Sequence, residues 1–559
     1  MSLRGLLWVL CGAALPAVQG CSVARTEPAR APAEKAFFQD LRPASGIDFR
    51  TGHAGQGLTI LDTVGHGAGL CDFDEDGNLD LVLLGDHRVG VYQGNGRFHF
   101  REVTAASGIG QKGKWHGLAT GDYDDDGRID LFLSGYGCSA LYRNLGGLRF
   151  RNTTAAAGVG VGPPEPDGVE EWRTGAAFLD LERDGRLDLY VLRYARFGPK
   201  TPQLCPMGAR GEVKTACDPL TYDSQRGVFY RNTGGGKFRD ETKVKGFDAA
   251  GGHGLGIALA DYDDDGWLDI AGANDEHPGD LFHNVRGRVE QVGTQSGTAF
   301  DAYGHVHAGM GIDWCDYDRD GRLDLFVTTF QNEEKNLYRN LDGKAFTDMS
   351  LRARISEPLH LWVSWGARFL DYDNDGWPDL LVASGHVQDR AREINPQTDY
   401  PQPLILLRSL LGQTFEDVSG KAGPALEGRL VGRAVCTGDI DNDGGVDAVV
   451  TNAEGQPLIL RNVTPDRGHW LRIRLEGPPT NRQAIGARIE LKTNAGKRVH
   501  DVSTTGSIFA ANDVRAHFGL GEERPLGVRV RWPDGKWQLF PAPEIDREAI
   551  LRHDPKAAD

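Results

Sequence analysis

One nine-residue phrase occurs seven times in this chain and restricts its fold more than any other feature. The copies begin at Asp72 (DFDEDGNLD), Asp122 (DYDDDGRID), Asp180 (DLERDGRLD), Asp261 (DYDDDGWLD), Asp316 (DYDRDGRLD), Asp371 (DYDNDGWPD) and Asp439 (DIDNDGGVD). Each sets carboxylates at positions 1, 3, 5 and 9 and glycine at position 6. Carboxylates this close repel one another unless a cation lies between them. Hard oxygens at alternating positions around a glycine turn suit Ca²⁺. Solvated acidic turns would not reproduce one spacing so many times.

The expected calcium ligands are Asp72, Asp74, Asp76 and Asp80; Asp122, Asp124, Asp126 and Asp130; Asp180, Glu182, Asp184 and Asp188; Asp261, Asp263, Asp265 and Asp269; Asp316, Asp318, Asp320 and Asp324; Asp371, Asp373, Asp375 and Asp379; and Asp439, Asp441, Asp443 and Asp447. A carbonyl at position 7 and water complete each set. Glu182 replaces Asp at position 3 of the third copy, and its extra methylene loosens that site. Up to seven structural calcium ions are expected. They would cancel most of the formal charge of −17, so the acidity is chiefly ligand charge and argues against a nucleic-acid partner.

Around each loop the chain follows one plan. A glycine stands five residues before the first Asp (Gly67, Gly117, Gly175, Gly256, Gly311, Gly366), with Ala434 in the last copy. An apolar exit strand follows, then a third strand such as LYRN, then a turn and a fourth strand opening on Phe150, Phe238, Phe346 or Phe415. Four short strands per repeat predict the blade of a β-propeller, and no sustained 3.6-residue period supports a helical solenoid. Residues 37–49 read as a fourth strand without a preceding blade, and the last copy ends at LILRN without one of its own. Pairing the two closes the ring. The fold class is therefore all-β: a seven-bladed calcium-binding propeller over residues 37–462, a small sandwich- or barrel-like domain over 463–545, and a tail over 546–559.

The DxDxDGxxD loops and LYRN strands resemble the FG-GAP/VCBS repeats of integrin-like propellers. HWLRIRL, AIGARIEL, HFGLG and VRVRWPDG downstream resemble the ASPIC/UnbV domain that closes cartilage-acidic-protein-like proteins. The resemblance implies an exported calcium-binding propeller with an appended β domain, and it implies no reaction.

Residues 1–20 are read as an export signal, because Arg4 precedes an apolar stretch too short for a comfortable membrane span. Val18-Gln19-Gly20-Cys21 is similar to a bacterial lipobox, which makes Cys21 a lipidation site and membrane anchor; cleaved secretion is the alternative. Residues 21–36 form a tether. The expected location is an outer-membrane or periplasmic lipoprotein, or a secreted protein. Cys205 and Cys217 share one insertion and are assigned to a disulfide, while Cys71, Cys315 and Cys436, close to acidic loops, are read as buried thiols.

Histidines are less uniform than the loops. His66, His116, His253, His305 and His307 precede their loops by six to eleven residues, and Arg173, Trp365 and Arg433 stand in equivalent places. With Tyr303 and His360 they are candidates to ring a central funnel that binds a sugar, a carboxylate or a second metal; histidines satisfied by neighbouring carbonyls are the plainer reading. Insertions at 193–227 and 384–403, the second with His386, Arg390, Arg392, Tyr400 and Gln402, are expected to project as recognition loops. No GxSxG, HExxH or P-loop occurs. The expected function is a binding or interaction module for a glycan or protein. The alternatives are a polysaccharide lyase or hydrolase using channel His or Tyr residues, and a structural partner in an envelope assembly.

Overall fold

The computed structural model describes residues 36–53, 57–208, 211–249 and 251–556. The expected signal, Cys21 and the tether up to residue 35 lie outside the described residues. Each acidic loop joins two antiparallel strands that are buried on both faces, which is why their sequences read as continuous apolar runs. In the second copy Lys114–Gly121 pairs with Asp130–Tyr136, then Cys138–Asn144 and Phe150–Asn152 follow in chain order. The same four-stranded meander recurs in seven sheets among the described residues, two of which gain a fifth strand, Ala510–Ala511 in the first and Arg429–Leu430 in the sixth.

The innermost strands are Ala68–Cys71, Lys114–Gly121, Arg173–Leu179, His253–Ala260, Ile312–Cys315, Ser364–Leu370 and Gly432–Gly438. Each lies against the next, and the last returns to the first. The sheets thus form the closed ring of a β-propeller. Apolar side chains fill the wedges between them: Val82 and Val91 of the first sheet meet Leu131, Leu133 and Tyr142 of the second. Phe38–Asp40 supplies the fourth strand of the last sheet, with Phe38 opposite Asn462 and Asp40 opposite Leu460. This pairing covers the edge of the final sheet.

The glycine before each loop has a steric cause. A Cβ on Gly311 would lie 2.0 Å from the Trp365 carbonyl oxygen of the next sheet. One on Gly366 would lie 2.4 Å from that of Arg433. The inner strands converge so closely that backbone occupies the side-chain position.

The C-terminal region forms two sheets, one of Ala516–Gly521, His469–Glu476 and Arg547–Arg552, the other of Gly496–Asp501, Arg488–Thr493, Pro525–Arg531 and Trp537–Phe540. Leu471, Ile473, Ile489, Leu491, Val528, Val530 and Trp532 share the core between them. The expected tail is different in the structure: Arg547–Arg552 runs parallel to His469–Glu476 and buries Leu551 in that core.

Residues 503–513 leave this domain and enter the centre of the ring. Ser507 exchanges backbone hydrogen bonds with Ile312 at 2.8 and 3.1 Å. Val435 N donates to Ser507 Oγ, Leu259 N to Thr505 Oγ1 and Thr437 N to Asn512 Oδ1, each at 3.0 Å. Ala510–Ala511 adds a parallel pairing beside Ala68–Gly69. The funnel expected at the inner strands is therefore filled by the protein's own chain, whose Ile508 and Phe509 join Leu61, Trp172 and Trp365 in an apolar plug.

A Cβ on Gly67 would lie 1.8 Å from the Phe509 carbonyl oxygen, whereas one on Gly428 meets open space. Gly67→Ala should therefore destabilise the protein by about 1–3 kcal/mol, and Gly428→Ala should change it by less than about 0.5 kcal/mol. Thermal melts of the two variants check this directly.

Candidate cation loops and channel mouth

The acidic loops share one internal wiring. In the second copy Asp122 accepts the amides of Asp126 and Gly127 at 3.2 and 2.8 Å. Asp126 accepts that of Arg128 at 3.0 Å. Asp130 at position 9 accepts Tyr123 N at 3.2 Å and, from the third strand, Asn144 N at 2.7 Å. Equivalent bonds from position 9 to the third strand recur at Asp80, Asp188, Asp269, Asp324, Asp379 and Asp447. Position 6 is left-handed throughout, with φ from 84° to 94°, a conformation in which glycine carries no Cβ penalty.

This wiring turns the carboxylates of each loop inward without pairing all of their oxygens. Asp74, Asp124, Asp261, Asp316, Asp371 and Asp441 each keep one buried Oδ1 that makes no hydrogen bond among the described residues. Burial, reinforced by the neighbouring acids, pushes Asp80 up to about 8 and Asp130 to about 9. The same causes raise Asp188, Asp269, Asp324, Asp379 and Asp447 well above the usual carboxylate range. Buried, unpaired, mutually repelling oxygens are the donor set that a hard dication satisfies, and these loops offer no sulfur. The third copy differs. Its Glu182 contacts both Arg231 and Lys245.

Two partners of the loops were not assigned from sequence. The basic residue of the third strand reaches the position-3 carboxylate: Arg143 to Asp124 at 2.7 Å, Arg408 to Asp373 at 2.9 Å, Arg461 to Asp441 at 2.8 Å, and Arg339 to Asp318. The asparagine beside it spans two sheets, since Asn144 Nδ2 donates to Ile129 O and to Phe73 O of the preceding sheet at 2.9 and 2.8 Å. Asn232, Asn284, Asn340 and Asn462 repeat that inter-sheet bond. The LYRN signature was the visible signal, but its spacing alone names no partner.

The C-terminal domain rests on the same loops. Arg472 donates to Asp439 at 2.7 Å and Arg531 pairs with Asp261. Arg488 reaches Asp261 O at 2.5 Å, and Arg498 reaches Gly376 O at 2.6 Å.

The funnel candidates separate into distinct environments. His66 and His116 come together as rings stacked 6.0 Å apart, with His53, Asp62, Asp86 and Lys114 beside them. His253 is buried with its nitrogens 3.3 Å from Asp275 O and 3.1 Å from Tyr222 O. His307 meets the Tyr338 hydroxyl, and Tyr303 and His305 are exposed on the rim. Arg173 donates to Val159 O and Tyr230 Oη at 2.7 and 2.6 Å. Arg433 donates to Thr63 O at 2.6 Å and lies over the Trp365 ring, close to His386. Their guanidinium groups serve the packing of the ring.

The family described as FG-GAP-like repeat matches residues 72–133, 122–191, 218–272, 261–327 and 316–382, and the domain described as ASPIC and UnbV matches 477–558. The chain belongs to the FG-GAP-like repeat family. This FG-GAP-like chain is similar to cartilage acidic protein 1 of Mus musculus, at 28% identity over 377 residues covering 64% of this chain and 51% of that protein. Cartilage acidic protein 1 of Homo sapiens is 27% identical over 375 residues, covering 64% and 50%. The chain thus spans about half the length of these relatives. Among solved structures, YCF48 from Cyanidioschyzon merolae has a TM-score of 0.41 at 8% identity, covering 76% of this chain and 98% of that one. An Agrocybe aegerita lectin has a TM-score of 0.38 at 19% identity, covering 65% and 84%.

The raised carboxyl values fix the sign of a pH effect. Groups raised on folding contribute stability below their unfolded pKa and lose it as pH climbs through the folded value. In chelator, the melting temperature should fall from about pH 5 to about pH 9. A profile that rises over that range would contradict the charge arrangement described here.

Proposed function

We propose that the protein is an exported, calcium-stabilised propeller that acts as a binding or interaction module for a glycan or protein ligand. The observation that carries it is the buried, unpaired carboxylate oxygen kept by six of the repeated loops. A dication there replaces repulsion with a link between the entering strand, the exit strand and, through position 9, the third strand. One site at a hundredfold excess of calcium over its Kd adds about 2.7 kcal/mol of stability. The third loop, with Glu182 held by two basic side chains, is the weak member.

Export is supported by the disulfide between Cys205 and Cys217, since such bonds persist in oxidising compartments. Either lipidation of Cys21 or cleaved secretion accords with that placement. Binding rather than turnover is supported by the inserted segment 503–513, which takes up the centre of the ring, and by the dispersal of the funnel histidines. Recognition then falls to the rim. A cavity of about 240 Å³ there is lined by Asp301, Tyr303, His305, Asn332, Glu333 and Glu334. An exposed tyrosine beside carboxylates and an amide suits a sugar, stacked on its apolar face and hydrogen-bonded at its hydroxyls.

Two measurements test this reading. Metal analysis should find six tightly held calcium ions and one weaker, with chelation lowering the melting temperature by more than about 10 °C; an unchanged melt in excess chelator would remove calcium from the account. Retention on a panel of neutral and acidic glycans should be lost in Tyr303→Ala while the calcium-loaded melt is unchanged. Soluble product released from those glycans would favour a lyase or hydrolase instead.

A further inference from the structure

Beside the stacked histidines lies a set of ligating side chains outside the acidic-loop motif. His53, Asp62 and Asp86 offer donor atoms that all lie within 4.8 Å of one another. His66 Nε2 is 3.8 Å from Asp86 Oδ1, and His53 Nε2 is 3.8 Å from Asp62 Oδ1. The three imidazoles are oriented in the same way. His53 Nδ1 meets Glu454 at 3.1 Å, His66 Nδ1 meets Trp115 O at 2.6 Å, and His116 Nδ1 meets Gly65 O at 2.8 Å. Each acceptor requires the proton on Nδ1, which leaves the lone pair of a neutral ring on Nε2. His116 is 1% exposed, and its Nε2 has no hydrogen-bond partner among the described residues.

We infer that His53, His66, Asp62 and Asp86 bind one first-row transition-metal dication, with His116 Nε2 as a further donor beside it. Mixed imidazole and carboxylate donors suit zinc and its neighbours, whereas calcium takes oxygen. Bonds of roughly 2.0–2.2 Å in a tetrahedral site place donors about 3.3–3.6 Å apart, and the His53–Asp62 and His66–Asp86 separations are 3.8 Å, so small rotamer changes bring these atoms into register. The outward Nδ1 bonds to a carboxylate and two carbonyls are the outer contacts that hold metal-binding imidazoles in orientation. Tyr400, from the second insertion, extends this shell by bonding Glu454 at 3.3 Å. Asp62 is fixed from behind by Thr59 N and Oγ1 at 3.0 and 2.8 Å. Charge also favours an ion. Asp62, Asp86 and Glu454 outnumber Lys114, whose ammonium lies 2.8 Å from Asp62 and 3.4 Å from Asp86. Lys114 is thus a built-in competitor that a dication must displace.

The test uses the full-length chain, stripped with chelator and then saturated with calcium so that the acidic loops are filled. Zinc is titrated by calorimetry and cobalt(II) by its visible absorption. The expected result is one equivalent of either ion and a cobalt band of nitrogen- and oxygen-ligated character. His53→Gln and Asp86→Asn should each weaken binding at least about tenfold, and Lys114→Met should tighten it. His53 is partly exposed, and an unchanged calcium-loaded melt in His53→Gln separates lost ligation from lost folding. Absence of a bound equivalent in the wild-type protein overturns the inference. So does an ion that His53→Gln and Asp86→Asn bind as tightly as the wild-type protein does.

Discussion

The repulsion among buried carboxylates is the constraint on which the rest of this structure depends. Each acidic loop brings four of them to the junction of two inner strands, in surroundings that burial makes unfavourable for charge. The loop does not act alone. Position 9 is bonded to the third strand, the third-strand base reaches position 3, and the neighbouring asparagine reaches the preceding sheet. Whatever neutralises one loop therefore tightens contacts within a sheet and between sheets.

The C-terminal domain answers the same charge by another route. Arg472 and Arg531 pair with the first aspartates of two loops, so side chains of one domain balance carboxylate charge of the other. Both members of these pairs are buried, and removing one would leave the other uncompensated. The domain is thereby fixed to the loop face while its segment 503–513 runs down the ring. Seated in this way, it contributes backbone partners to the inner strands and apolar contacts to the plug.

Much of this was legible in the sequence. The loop spacing marked the sheets, and the phase offset between residues 37–49 and LILRN foretold the pairing of Phe38–Asp40 with the last sheet. The glycine before each loop was visible, although its cause, a carbonyl of the adjoining strand, was not. The inserted segment was illegible because VSTTGSIFAAND has no strand-like alternation and its partners are backbone groups of strands far away in the chain, as with Ser507 and Ile312. Of the two readings of the histidines, His66, His116 and His253 follow the plainer one and meet neighbouring carbonyls, because a similar distance from a loop does not imply similar surroundings. Bulges in the inner strands, such as that between Arg173 and Ala176, shift register in some sheets. His53 and Asp62 lie before the first loop, outside the repeat that directed attention elsewhere.

The inserted segment also alters what a covalent connection means in this molecule. Two domains joined by a linker normally part when the linker is cut. Here the second domain inserts residues 503–513 into the first, hydrogen-bonded to inner strands of several sheets, while the first domain's ring is itself shut by its most distant strands. A nick in the stretch following Asn462 would leave the two pieces joined by those hydrogen bonds, the apolar plug and the Arg472–Asp439 and Arg531–Asp261 pairs. Separation would require the plug to be withdrawn from the closed ring, so the assembly behaves as a stopper in a bottle, held by its packing after the chain is severed.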